Sequence, residues 1–169
     1  MEIEKVKKKL KELGISNYLD LSLLTDLYPS EDNLKDVELG ESVKCKSPDD
    51  CQKIFAEQGR RAMTLLEVLN QFGTKEGLVD YLENHNFIDC AGSRYDSDGV
   101  PCLYLNDDGP ELNYNYSNNA SSSCGSASIS CGSQKLVSRD SDVGNLEDRV
   151  LELENKMAKL IKIINNINL

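Results

Sequence analysis

The chain has no Trp, one His, three Phe and four Pro among its 169 residues. An aromatic content of 6% supports a small packed core with a polar remainder, not one large globule. A single His excludes a His-rich metal site and any paired-imidazole chemistry. Basic residues are also scarce: 19 Lys and Arg face 29 Asp and Glu, for a formal net charge of -10. That balance argues against a general nucleic-acid binder, which needs a basic face against phosphate, and against a membrane-surface protein. No stretch approaches the roughly 20 apolar residues of a membrane span. Met1 to Leu13 (MEIEKVKKKLKEL) is charged throughout and lacks the apolar centre of a signal peptide. The expected location is therefore cytoplasmic, with thiols reduced.

Six Cys are present, at 45, 51, 90, 102, 124 and 131, with no Cys-x-x-Cys pair. Structural zinc needs four ligands at tight spacing, so no metal is predicted. His85, in Asn84-His85-Asn86, reads as a solvated helix-end residue. Cys51, at helical spacing with Ile54 and Phe55, reads as a small core residue. Asp96-Ser97-Asp98-Gly99 begins like a calcium loop, but its Gly comes two places early. No phosphate-cradling glycine loop or Gly-x-Ser-x-Gly turn occurs. The chain is expected to be no enzyme, with no catalytic residue and no cofactor.

Composition divides what is there into three segments. Residues 1–90 carry most of the helix-periodic apolar positions. Ile3, Val6, Leu10 and Leu13 mark one helical face ended by Gly14. A second helix is expected on Tyr18 to Leu27, stopped by Pro29, and a short third around Leu34, Val37 and Leu39. Ser47-Pro48-Asp49-Asp50 is a helix start, with cap, Pro at the first position and acids in the first turn. Two more apolar runs follow, Ala62 to Phe72 and Leu78 to Phe87, the latter capped by Thr74. The expected fold class is all-α: a five- or six-helix antiparallel bundle. Leu24, Leu27, Ile54, Phe55, Leu65, Leu66, Leu69, Leu78 and Leu82 are its expected core. Residues 91–142 are rich in Ser, Asn and Gly and read as a flexible linker, including the Tyr- and Asn-rich stretch 95–116.

Residues 61–70 (RAMTLLEVLN), followed by Gly77-Leu78-Val79-Asp80-Tyr81-Leu82, resemble the fourth and fifth helices of a death-fold domain, nearest the caspase recruitment subfamily. The death-effector subfamily is the alternative, although its Arg-x-Asp-Leu signature is absent. Nothing after Phe87 supplies the family's sixth helix. The resemblance implies an adaptor in apoptosis or innate-immune signalling that recruits proteins with similar helical domains. It also implies opposite-charge interfaces. Lys5, Lys7, Lys8, Lys11, Arg60 and Arg61 would form the basic face, and Asp26, Glu31, Asp32, Asp36 and Glu38 the acidic one. Such head-to-tail contacts propagate unless closed.

Residues 143–169 repeat apolar positions at spacings of 3 and 4 without a break. Val143, Val150, Met157 and Ile164 alternate with Leu146, Leu153, Leu160 and Ile167. This is a coiled-coil seam, and β-branched residues facing Leu favour a parallel homodimer. The expected function is a non-enzymatic, oligomeric adaptor with protein partners and neither nucleic-acid nor membrane ligands. The alternative is a structural or regulatory coiled-coil subunit docking on a larger complex.

Overall fold

The computed structural model describes residues 1–120 and 125–130. Helix α1 (Ile3–Glu12) buries Val6 and Leu10 and leaves Lys5, Lys7, Lys8 and Lys11 exposed. It stops at Gly14, whose φ of 61° suits a residue without a side chain. The Gly14 N–H donates to Lys11 and the Ile15 N–H to Leu10, which closes the last turn as a Schellman motif. Strand β1 (Ser16–Asn17), a 3-10 turn at Leu21–Leu23 and strand β2 (Leu24–Asp26) follow. After a second 3-10 turn at Glu41–Val43 comes α2 (Pro48–Glu57), where Ser47 accepts from the Asp50 N–H and Pro48 occupies the first position. Strand β3 (Arg60–Ala62) leads into α3 (Leu65–Gln71). There Thr64 and Glu67 form a reciprocal capping box. Helix α4 (Lys75–His85) is capped by Thr74. Strands β4 (Phe87–Asp89), β5 (Ser93–Tyr95), β6 (Gly99–Asn106), β7 (Gly109–Tyr116) and β8 (Ser128–Ser130) complete the described chain.

The strands form a six-stranded sheet in the order β1-β7-β6-β5-β2, with β4 also paired to β6, and a two-stranded sheet of β3 and β8. Its centre is the β6–β7 hairpin, in register from Gly99 opposite Tyr116 to Asn106 opposite Gly109. Asp107 and Asp108 make the turn, and the Asn106 Oδ1 accepts from the Asp108 N–H. Only β1 on β7 runs parallel within this sheet. The last described segment stitches the two sheets together. The Asp89 N–H donates to Gly125, the Ala127 N–H to Asp89, and Ser128 pairs with both Ala62 and Glu38.

This mixed α/β architecture overturns the all-α class and the death-fold resemblance. Among the described residues, four α-helices pack with a sheet, where a death-fold domain is a helical bundle. The Leu-rich run from Tyr18 forms no second helix. Asp20 caps a single 3-10 turn, after which Leu24 pairs with Tyr95 and the Leu27 N–H bonds Gly92. The stretch around Leu34 to Leu39 forms no helix either, and Glu38 pairs with Ser128 instead. Residues 93–116, expected in a linker, are three strands. The coiled-coil seam from Val143 to Ile167, together with Cys124 and Cys131, lies outside the described residues.

Two clusters of buried side chains hold the fold. The larger joins α1, α3 and α4 to one sheet face, with Leu10, Leu65, Leu69, Leu78, Ile88, Leu103 and Leu112 among its members. Each such Leu or Ile contributes about 1.5–3 kcal/mol when fully buried. The smaller cluster packs Val43, Cys51, Phe55, Ala62, Ala91 and Val100. Of the expected core, Leu24, Leu65, Leu66, Leu69, Leu78 and Leu82 share the larger cluster and Phe55 belongs to the smaller. Ile54 is only half-buried and Leu27 is 44% exposed. Among the described residues, no helix is long and apolar enough to cross a membrane.

Candidate functional site

Side chains alternate across a strand, so register decides which residues share a face. Phe87 stands opposite Tyr104, and Asp89 opposite Cys102. Cys102 stands opposite Asn113, and Tyr104 opposite Glu111. These residues, with Asn115, therefore share the face turned away from Ile88, Leu103 and Leu112. Helix α2 covers one end of that face, where Cys51 and Phe55 meet Val100. The other end opens as a trough of about 290 Å³. Phe87 and Tyr104 form one wall, their ring centroids 5.5 Å apart. Asn113, Asn115 and Asn119 supply side-chain amides, and Cys102 and Tyr114 complete the lining. No lining side chain carries a charge at neutral pH. Glu111 lies just outside and accepts from the Tyr104 hydroxyl and the Asn106 amide. The bond to Glu111 raises the Tyr104 pKa.

Asp89 shares the face but does not line the trough. Its side chain is wholly buried, and neither carboxyl oxygen has a hydrogen bond of ordinary geometry. Burial raises its pKa from 3.8 to about 7, and Asn115 pulls the other way. Ser126, bridged to Asp89 in parallel, is buried beside it and its Oγ is likewise unpaired. Burial also raises the Cys51 and Cys90 thiols. No disulfide joins Cys45, Cys51, Cys90 and Cys102. Among the described residues, no group of three or more His, Cys, Asp or Glu is placed to hold a metal ion.

The trough reaches the outer edge of β7. Pro101, opposite Tyr114, has no N–H, so this pair is a non-hydrogen-bonded one and Tyr114 turns its own N–H away from β6. Leu112 points the same way, since its carbonyl accepts from the Tyr18 N–H. Tyr116 follows by alternation. β1 covers this edge only at Glu111 and Leu112. Beyond it, the Tyr114 N–H bonds the Asn113 Oδ1 and the Tyr116 N–H the Asn115 Oδ1, each at 2.9 Å.

The charged residues singled out in the sequence stand elsewhere. Lys5 and Lys8 line a separate cavity of about 500 Å³ together with Asp32, so the two expected faces meet within one chain. Lys7 pairs with Glu4, and Lys11 is exposed. Arg61 grips Glu67 through two hydrogen bonds of 2.7 and 2.9 Å, reaches Glu31 at 3.1 Å and lies over the Tyr28 ring. Burial opposes ionisation of Glu67. The Arg61 guanidinium and the Thr64 and Glu31 N–H groups outweigh it and hold the carboxyl below its ordinary value. Arg60 donates to Ser128 and to the Asp36 carbonyl. Asp26 accepts from Ser93 and lies 3.7 Å from the Met1 amino group, and Glu38 accepts from the Ser42 N–H. His85 stacks on Tyr81, centroids 4.1 Å apart.

Sequence reasoning missed the trough entirely. Its signals were the Asp108-Gly109 pair and the alternation through Cys102-Leu103-Tyr104-Leu105 and Glu111 to Tyr116. No family model, no curated protein and no solved structure matches the chain.

Proposed function

We propose that this chain is a non-enzymatic recognition module that binds a partner through the sheet-face trough. One observation carries the reading: the trough presents three side-chain amides beside the aromatic wall of Phe87 and Tyr104, with no charged group in its lining. Such a surface suits amide or hydroxyl groups, which take part in hydrogen bonds while an aromatic wall covers the adjoining carbon atoms. Asn113 and Asn115 sit on a strand paired with β6 along its whole length, so their backbone is fixed before any ligand arrives. Asp89, whose pKa burial raises to about 7, lies beneath this lining and not within it, which favours binding over acid–base catalysis. Recruitment of a protein partner then rests on the sheet, where the sequence had pointed to helical charge faces. The test is an amide spectrum of the isotope-labelled full chain titrated with a library of small amides and alcohols. The Asn113, Asn115 and Asn119 side-chain signals should move together, and Asn113→Leu should abolish the response. A library that leaves all three signals in place would remove this function.

A further inference from the structure

We propose that the open edge of β7, from Asn113 to Tyr116, accepts a basic, extended segment of a partner protein as an added strand. This rests on the recognition reading above and names its partner class. Unpaired strand edges are templates for another chain, and proteins blunt them by charge, proline or a cover. Here the cover is short and removable. β1 leaves the edge at Tyr18, which is 65% exposed; among the described residues, the next two outward N–H groups are held by the amide oxygens of their own neighbours, Asn113 and Asn115, and the Tyr116 carbonyl accepts from the Asn119 N–H, so the open stretch centres on Tyr114. Rotation of the Asn113 side chain exchanges its bond to the Tyr114 N–H for a bond to an incoming carbonyl, and rotation of Asn115, which also releases the Asn119 side-chain amide, does the same at Tyr116; neither breaks the β6–β7 ladder.

The charge of the partner follows from the strands themselves. Between Ser93 and Tyr116 the only basic residue is Arg94, against Asp96, Asp98, Asp107, Asp108 and Glu111. Arg94 is already taken up by Asp49 and the Ala91 carbonyl. Tyr114 borders the trough, but its ring joins those of Tyr95 and Tyr116 in a run with centroids 5.1 and 5.8 Å apart, and Tyr114 and Tyr116 are 41% and 57% exposed. Alternate side chains of an added strand point to opposite faces. One set therefore enters the trough and the other lies on tyrosine rings, where Lys or Arg gains a cation–π contact. Main-chain bonds supply affinity and the two flanking surfaces supply selectivity, the usual division in strand addition.

The experiment is selection of linear peptides from a phage-displayed library on the full chain, followed by fluorescence titration of the selected peptide. Selected sequences should carry Lys or Arg in alternation with apolar residues, and binding should weaken with added salt. Tyr114→Pro deletes the outward donor at a position where β6 receives none, so the hairpin survives; its melting temperature reports that. Tyr114→Ala loses the ring and keeps the donor. Binding should fall roughly tenfold further in the Pro variant than in the Ala variant. Equal losses in the two variants would overturn strand addition. So would a selection that returns no basic peptide while the trough signals still respond to small amides, a result that leaves the recognition reading standing. If those signals are silent too, both fall. A dimer of the full chain that Tyr114→Pro dissolves would assign the edge to a second copy and overturn the peptide.

Discussion

Asp89 is the residue least at ease in this fold. It is wholly buried with both oxygens unpaired, next to Ser126 and facing Cys51 from α2, Cys102 from β6 and Asn115 from β7. Among the described residues no cation offsets its burial, which raises its pKa from 3.8 to about 7. The sign of the consequence is fixed. In the unfolded chain the carboxyl ionises near pH 4, whereas in the fold it stays neutral until about pH 7. Its stability contribution is fully present below pH 4. It is lost as pH rises to about 7, a fall of about 4 kcal/mol. Asp89→Asn should remove that slope and melt higher than the parent at pH 8. Thermal unfolding followed across pH 4 to 8 measures it; an unaltered slope in the variant would assign the pH dependence elsewhere. Arg61 is the opposite case. It is 90% buried by its contacts and neutralises a wholly buried Glu67, so Arg61→Ala strands an anion in the interior. The expected cost is about 3–5 kcal/mol, read as a lowered urea midpoint. A midpoint equal to the parent's would mean that Glu67 finds water or another donor.

At the scale of elements, what was legible divides by range. Helix ends are written locally. Gly14, Ser47-Pro48 and Thr74 each mark an end or start within one turn, and α1, α2 and α4 begin or stop there. Strands are written in pairs. Glu111-Leu112-Asn113-Tyr114-Asn115-Tyr116 becomes an alternating strand only because Leu103 and Ile88 lie beside Leu112, and nothing within the segment states that. Tyr18 to Leu27 failed for the converse reason. Six apolar residues in ten resembled a helix, but Tyr18, Leu23 and Leu27 remain exposed while Leu19, Leu21 and Leu24 are buried. The returning segment at 125–130 is the least legible element, since its Ser-rich sequence carries no period. Its placement depends on one close approach. Gly40, at φ 104°, meets Gly125, and a Cβ on Gly125 would lie 2.2 Å from the Gly40 carbonyl oxygen. Gly125→Ala must push the two backbones apart, at a cost of about 1–3 kcal/mol. Hydrogen exchange should then speed at Asp89 and Ala127, whose N–H groups bond across this junction. Protection unchanged at both would show that the crossing tolerates a side chain.

At the scale of the whole molecule, the boundary moves. Composition placed the folded domain at residues 1–90, because the apolar helical stripes end there. The structure makes that boundary cut through the sheet. β4 pairs with β6, β2 with β5, and β1 with β7, so a chain stopped at Cys90 loses the partner of each strand. It also loses Leu103, Leu112, Ala127 and Ile129 from the larger cluster and Ala91 and Val100 from the smaller. Four fully buried aliphatic side chains, Leu103, Leu112, Val100 and Ile129, account for about 6–12 kcal/mol of transfer free energy, as much as a domain of this size retains. The compact unit runs from Met1 to Gly132. A 1–132 fragment should therefore unfold cooperatively in urea, with the midpoint of the full chain. A 1–90 fragment should show helical circular dichroism without a cooperative transition, since α1, α3 and α4 have no sheet to bury against. A cooperative 1–90 fragment would mean that the helices form a core of their own, and that the sheet is added to it instead of completing it.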